Sequence, residues 1–359
     1  MTRTAAKEPQ IRSASSGQSL RYTLLMAACL AALALTVTFA VGTGSVHYHP
    51  SEVITALRHG PPDLSDNAPD QDPIVLTIWT LRLPRVLLAA IVGAALAAAG
   101  VAFQSLLRND LADPYIVGVS SGASVGVEAV LLRHGEATLG GIAVPLAGFV
   151  TAMMAMGLVY TLARRNGRVH ITSLLLGGVV VSAVLGAVST LMLQFGHPDD
   201  AMHIMNRLMG SFGDATLVQS GIVGAFLVAG VLLLQIQARS MNVFTLGEEG
   251  AQQLGVEVDR FKTVLIMIGS LLTAATVAFS GVIGFVGLVV PHIARRLTRT
   301  PRHEQVLPIA VVLGAVLLVL ADTAARSIMP DGRELPVGII TAFLGGPFFL
   351  MQLRRQSAR

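Results

Sequence analysis

Long apolar runs separated by short charged stretches dominate the chain. The runs cover residues 22–42, 83–107, 120–132, 142–163, 171–195, 217–238, 261–279, 282–294, 306–323 and 336–353. A helix needs about 20 apolar residues to cross the ~30 Å hydrocarbon core of a bilayer. The third and eighth runs are short and glycine-rich, so they require burial among neighbouring helices. The pattern predicts an all-α membrane protein with about ten transmembrane helices.

The composition also indicates that this chain is embedded in a membrane. Of its 359 residues, 53% are hydrophobic and only 13% are charged, against about 25% charged in ordinary soluble domains. The polar leader and the length of the first run argue against a cleaved signal peptide, whose apolar region is shorter. We therefore expect a tail at residues 1–20 and one transmembrane domain at residues 21–359.

The basic residues predict the orientation of the chain. With ten spans both termini lie on one side, and most of the 25 lysine and arginine residues fall in the loops of that side. Because cytoplasmic loops are enriched in these residues, both termini are predicted to be cytoplasmic. The net charge of +4 is thus explained by topology, and we expect no nucleic-acid partner.

Small residues indicate how the helices pack and how the fold is organised. Gly118, Gly122 and Gly126 stand four apart, and Gly281, Gly284 and Gly287 stand three apart, spacings that allow close helix contact. Residues 93–103 also match residues 269–279, in the second and seventh runs. Five spans separate the two copies, so they cross in opposite directions, which predicts an inverted internal repeat of the kind found in transporters.

Sequence motifs for catalysis and metal binding are weak. Residues 118–122 match the G-x-S-x-G nucleophile motif but lack its strand-to-helix setting, and no lysine lies in a Walker A motif. His47 and His49 form a weak His-x-His pair with His197 as a spare histidine, and they are better explained as turn residues than as metal ligands. We expect no catalytic residue and no metal site, which argues against a membrane-embedded enzyme.

An ion-coupled secondary transporter is the main alternative function. Such a carrier usually needs an ionisable residue inside the membrane, and Glu128 and Asp322 are the acidic residues within the runs. Asp322 precedes Arg326 by four positions, so a helical ion pair explains it. The alternative is therefore disfavoured but open.

The loop at residues 240–260 has the pattern of a folded element. Glycines interrupt it, and its apolar residues fall at helical intervals. This pattern predicts two short helices that a soluble partner could contact, with an ordinary surface loop as the alternative.

Several motifs follow one another between about residue 20 and the C-terminus. They are Arg82-Leu83-Pro84-Arg85, residues 104–114, Gly118-Val119-Ser120-Ser121-Gly122-Ala123, Leu246-Gly247-Glu248-Glu249 with Gln253-Leu254-Gly255, residues 284–293 and Glu334-Leu335-Pro336-Val337-Gly338. Together and in this order, they resemble the FecCD family of permeases for iron–siderophore, haem and cobalamin import. Asp110 departs from the family pattern, which usually has proline there.

The resemblance implies the permease subunit of a type II ABC importer in the bacterial inner membrane. Its expected partners are a second permease copy, two ATP-binding subunits that carry the ATP, and a substrate-binding protein outside. This chain itself would hold no cofactor. A ferric siderophore is the favoured cargo because it is the commonest in the family, with haem or cobalamin as alternatives.

The resemblance also implies roles for individual residues. Arg82, Arg85 and Arg326 would dock the binding protein, although arginines at the lipid interface have the same pattern. The ATPase contact would comprise Gly247, Glu248, Glu249, Leu254 and Gly255. Met202, Met205, Met209 and Phe212 are the candidates for the translocation path, with simple packing as the alternative.

Overall fold

A computed structural model describes residues 12–44, 46–62, 72–134, 142–195, 204–205, 208–329 and 334–357. The helices are α1 (Arg12–Gly42), α2 (Pro50–His59), α3 (Pro73–Thr77), α4 (Leu83–Leu107), α5 (Val119–His134), α6 (Ala143–Ala163), α7 (Ile171–Phe195), α8 (Leu217–Phe244), α9 (Glu248–Gln253), α10 (Val258–Ser280), α11 (Val286–Thr298), α12 (His303–Ala325) and α13 (Val337–Ser357). A π-helical turn, Ile78–Arg82, joins α3 to α4, and a 3₁₀ turn, Pro114–Val117, precedes α5. Strands β1 (Arg164–Arg165) and β2 (Arg168–Val169) form an antiparallel hairpin between α6 and α7.

The helices confirm a multi-pass membrane protein. Seven stretches are long and apolar enough to cross a membrane, and Val337–Gln352 forms a shorter apolar helix. Each of the ten apolar runs of the sequence coincides largely with a helix, and α4 and α7 have the predicted bounds. The count of ten spans stays a prediction.

Three helices form the centre of the bundle. Most of α4, α10 and α12 is buried, whereas only a third or less of α1, α6, α7 and α8 is buried. Helix α4 packs against α8, α10, α11 and α12, and it consists mainly of alanine, glycine, valine and leucine. Small side chains allow this many neighbours to approach one helix, because backbones meet at short range.

Glycines mediate the closest helix contacts, although not all of the predicted ones. A methyl group on Gly122 would lie 2.7 Å from the Ala155 side chain, so α5 and α6 pack closely as predicted. The prediction for the second glycine series is only partly correct. Gly281 ends α10 with φ at +72° and Gly284 has open space around it, so only Gly287 packs against another helix.

Charged and polar elements collect at two opposite ends of the bundle. The first, here called the α9 end, carries α9, the β1–β2 hairpin and the loop at residues 108–113. The second, here called the Arg85 end, carries the C-termini of α1 and α12 and the N-terminus of α4. The functional candidates from the sequence divide between these ends.

Candidate functional site

The loop before α10 forms one short helix and not the two predicted. Met241 and Phe244 are buried, so the apolar face of α8 continues through the first half of the loop and the helix continues with it. Gly247, with φ at +101°, then allows the turn into α9. Leu246 and Leu254 flank α9 and are 67% and 63% exposed. Two exposed leucines beside an acidic helix form a surface suited to a protein partner.

A buried lysine beneath α9 connects it to the hairpin. The Lys262 ammonium group donates hydrogen bonds to Glu248 Oε2 at 2.9 Å and to the Val169 carbonyl oxygen at 2.8 Å. It also lies 3.6 Å from Asp259 Oδ1, and that carboxylate accepts the Val169 backbone N–H. The sequence analysis missed Lys262, although its position three residues after Asp259 was a local signal for an ion pair.

A cleft of about 1160 Å³ opens between α9, the start of α10 and the hairpin. Charged side chains of both signs line it, including Glu248, Glu249, Arg168 and Lys262. Lys262 forms ion pairs with Glu248 and Asp259. Glu249 makes no ion pair with the residues that the structure describes. The exposed Glu249 carboxylate is therefore available to a partner at this end.

The loop after α4 connects α9 with α11. The Arg108 guanidinium lies 5.8 Å from the centre of the Phe244 ring, at the base of α9. Asp110 Oδ1 lies 3.1 Å from Arg295 Nη2 and forms an ion pair with it. The aspartate that departs from the family pattern therefore has a structural role. Buried Gln104 accepts a hydrogen bond from Arg295 and donates to the Gly287 and Leu288 carbonyl oxygens.

Asp113 closes this loop before α5. Its carboxylate accepts the backbone N–H of Tyr115 at 2.9 Å and so caps the 3₁₀ turn. Burial raises the pKa of Asp113, and the hydrogen bond from Tyr115 opposes that change. The Tyr115 hydroxyl in turn donates to the Ile283 carbonyl oxygen, which connects the loop to the segment before α11.

A buried ion-pair network defines the Arg85 end. Arg85 donates to Asp322 through Nε at 3.1 Å and Nη2 at 2.9 Å, and to Glu334 through Nη1 at 2.7 Å. Asp322 is 1% exposed and also lies 3.6 Å from Arg326 Nε. The helical pair of Asp322 and Arg326 predicted from the sequence is present, but Arg85 is the closer partner.

Two further arginines bind the C-terminus of α1. Arg82 donates to the Val41 and Gly42 carbonyl oxygens at 2.9 Å and 3.0 Å, and its guanidinium covers the Tyr48 ring at 4.4 Å. Arg326 donates to the Ala40 carbonyl oxygen. Cations are favoured there because the last carbonyls of a helix are unpaired and carry partial negative charge.

All three arginines predicted to dock a binding protein thus have partners within this chain. Arg82 and Arg85 are buried, and the side chain of Arg326 is also largely covered. Glu334 is the more exposed member of the network, with a side chain 46% accessible. The docking role of the arginines stays a prediction.

The described candidates for the path lie at the Arg85 end. Met205 and Met209 are about half exposed, whereas Phe212 is 1% exposed within the hydrophobic core. Met202 lies outside the described residues. The backbone of this segment is hydrogen-bonded to two helices. The Ser211 N–H donates to the Ser280 carbonyl oxygen at the end of α10, and the Val337 N–H at the start of α13 donates to the Gly210 carbonyl oxygen. Packing explains the position of Phe212, and the path role of the methionines stays a prediction.

His197 lies outside the described residues, and the described ionisable candidates that remain do not cluster. Within the described part of the chain, no group of three histidine, cysteine or acidic residues could hold a metal ion. His49 bonds Ser51 at the start of α2. Glu128 is fully buried in α5 and accepts a hydrogen bond from the Ser189 hydroxyl of α7.

The helices define a multi-pass membrane protein, and the chain is similar to three known proteins that transport substrates across membranes. The chain is 44% identical over 283 residues to the cobalamin import system permease protein BtuC of Halobacterium salinarum, covering 79% of this chain and 74% of that one. It is 38% identical over 282 residues to the hemin transport system permease protein HmuU of Yersinia pestis, covering 78% and 84%. A solved structure described as an inward-facing candidate metal-chelate type ABC transporter is 27% identical, with a TM-score of 0.78, and covers 93% of this chain and 99% of that one.

The model of the FecCD transport family matches residues 9–355. The chain therefore belongs to the FecCD transport family, as its sequence motifs predicted. Its relatives are permease subunits, so the chain is a permease and not an enzyme.

Proposed function

We propose that this chain is the membrane-spanning subunit of an ATP-driven importer of a large metal chelate in the bacterial inner membrane. A second copy of the chain would complete the pathway, two ATP-binding subunits would contact α9, and a substrate-binding protein would deliver cargo at the Arg85 end. Residues 1–20 would form a cytoplasmic tail, and residues 21–359 the permease domain. Family membership over nearly the whole chain supports this proposal.

The proposed topology has ten spans, with both termini and the α9 end in the cytoplasm. The short helices α5 and α11 would be spans buried among longer neighbours. The excess of lysine and arginine in the loops at the α9 end supports this orientation. The similar sequences of residues 93–103 in α4 and 269–279 in α10 support an inverted repeat, since the two helices run in opposite directions.

The single observation that carries the ATPase contact is the surface at α9. It combines exposed Leu246 and Leu254 with the acidic pair Glu248 and Glu249, on a helix that Lys262 holds from beneath. An anchored apolar and acidic projection would transmit force from a soluble partner to α8 and α10, which flank it. Gly247 and Gly255, both at positive φ, would set its two turns.

Replacing Glu248 and Glu249 together with glutamine is expected to reduce recovery of the ATP-binding subunit at least ~10-fold. Each lost hydrogen bond to a charged group removes about 1.5–3 kcal/mol. Co-purification from native membranes in mild detergent, quantified by mass spectrometry, measures the effect. Glu257→Gln is the control, since Glu257 is exposed at the same end and, among the described residues, pairs only with the surface residue Arg260.

Recovery of the chain alone from wild-type membranes, with transport in ATP-free vesicles, would instead support an ion-coupled carrier. Glu128, the fully buried carboxyl of α5, would then be the coupling group. Under the importer proposal, Glu128→Gln leaves ATP-driven uptake unchanged. Loss of gradient-driven uptake in that variant would contradict the importer.

Replacing Lys262 with methionine is expected to lower cargo transported per ATP hydrolysed severalfold. Methionine fills the buried volume but removes the contact that holds α9 and one of the two hydrogen bonds that hold the hairpin, while Glu248 and Asp259 regain water. Uptake and ATP hydrolysis measured together in proteoliposomes with the partner subunits give the ratio. Arg260→Gln, a charge loss on the exposed neighbour, is the control, and an unchanged ratio in Lys262→Met would show that the anchor does not couple the two processes.

The cargo is proposed to be a ferric siderophore, with cobalamin and haem as competing chelates. Frequency in the family supports the siderophore, whereas the relatives named for cobalamin and hemin support a metal macrocycle. Uptake of labelled ferric siderophore, competed with unlabelled cobalamin or hemin, distinguishes them. Met205 and Met209 would line the pathway, and Arg82, Arg85 and Arg326 would support the docking surface.

A further inference from the structure

The β1–β2 hairpin is a rigid element with an arginine-rich surface. Asn166 and Gly167 form its turn with φ at +52° and +81°, the combination that two-residue hairpins of type I′ require. Val169 is buried, and both its backbone groups bond to α10 through Asp259 and Lys262. The hairpin is therefore fixed at its base while its tip stays exposed.

The tip carries positive charge that nothing in the described chain neutralises. Arg164, Arg165 and Arg168 are exposed, and none of them forms an ion pair with a described residue. Arg165 lies directly opposite Arg168 in the strand register, an arrangement of like charges that destabilises a strand pair. Glu248 and Asp259, which line the same cleft as Arg168, already bind Lys262. The three arginines are therefore free to bind an anion from outside the chain.

The position of the hairpin indicates the source of that anion. Helix α6 ends at Ala163 and β1 begins at the next residue. The exposed apolar residues of α6 continue to Leu162, which is 55% exposed. With a helical rise of about 1.5 Å per residue, the arginines begin within a few ångströms of the end of this exposed apolar surface, which would place them at headgroup level in a bilayer.

We propose that the hairpin binds the phosphate of an anionic phospholipid through Arg164, Arg165 and Arg168. Guanidinium groups bind phosphate oxygens in bidentate fashion, and a headgroup between Arg165 and Arg168 would relieve their repulsion. The exposed face of α6 would accommodate the acyl chains. Because Val169 and Glu248 share Lys262, the bound lipid would also brace α9. This site is additional to the proposed transport function and does not require the ATPase.

The test measures lipid retained by the purified full-length chain, without partner subunits, by native mass spectrometry. Phosphatidylglycerol and phosphatidylcholine are titrated against the wild type and the Arg165→Gln/Arg168→Gln variant. We expect the variant to lose about 30-fold in phosphatidylglycerol affinity, which corresponds to ~1 kcal/mol per arginine. Phosphatidylcholine affinity should stay constant. Arg260→Gln/Arg302→Gln, which removes the same charge from exposed sites at the same end, should retain wild-type affinity.

Equal losses in the two double variants would overturn the proposal, because total charge and not the hairpin would then determine binding. Equal affinity of the wild type for both lipids would also overturn it. If the hairpin variant keeps its lipid but loses the ATP-binding subunit in co-purification, the surface is a protein contact and the lipid site is rejected. The lipid measurement stands even if the importer proposal fails, since it uses this chain alone.

Discussion

Replacing Asp322 with asparagine is expected to destabilise the chain by about 3–5 kcal/mol, the cost of removing one partner from a buried ion pair. Asp322 is 1% exposed and is the only carboxylate near Arg85 and Arg326 that is fully buried among the described residues. Without its charge, two guanidinium groups stay inside the bundle with incomplete compensation. The measurement is thermal unfolding in detergent, in which the fraction of protein that stays monodisperse is recorded as the temperature rises.

Glu334→Gln provides the matched control for this prediction. Glu334 binds the same guanidinium at 2.7 Å, but its side chain is 46% accessible, so water replaces much of the lost interaction. Exposed ion pairs contribute only about 0–1 kcal/mol, and the control should unfold near the wild-type temperature. Equal destabilisation in both variants would show that the buried carboxylate of Asp322 contributes no more to stability than the exposed carboxylate of Glu334.

The buried network gives the arginines predicted to dock a binding protein structural contacts within the chain. Arg82 and Arg326 bind the last carbonyls of α1, and Arg85 joins α4 to α12 and to the segment before α13. A binding protein that touched Glu334 would act on four helices through these contacts. The arginines would then transmit docking within the permease even though their own guanidinium groups have partners.

Local patterns predicted much of the fold because the bilayer imposes simple rules on the sequence. The bounds of α4 and α7 follow from apolar runs that end at charged or polar residues, and the pair of Asp322 and Arg326 follows from helical spacing. The partnership of Arg85 with Asp322 joins residues 237 positions apart, and no local pattern encodes it. The same is true of Lys262, whose contact with Val169 depends on how α10 packs against the hairpin.

Replacing Gly100 with alanine is expected to be the second strongly destabilising change, because its neighbour is backbone. A methyl group on Gly100 would clash with the Gly287 carbonyl oxygen and lie 2.6 Å from its carbonyl carbon. Overpacking of a core costs about 1–3 kcal/mol where side chains can yield. Here α4 and α11 must separate, so we expect a loss of ~3 kcal/mol or more, measured by the same thermal unfolding.

Gly157→Ala in α6 is the matched control, since Gly157 has open space around it. That variant should be neutral or more stable by up to about 1 kcal/mol, because alanine has the higher helix propensity. If Gly100→Ala instead unfolds like the wild type, α4 and α11 have room to move apart. The Gln104 contact with the Gly287 carbonyl, which lies beside this interface, would then be too loose to join the loop at residues 108–113 to α11. Coupling from α9 into the bundle would in that case depend on α8 and α10, the two helices that flank it.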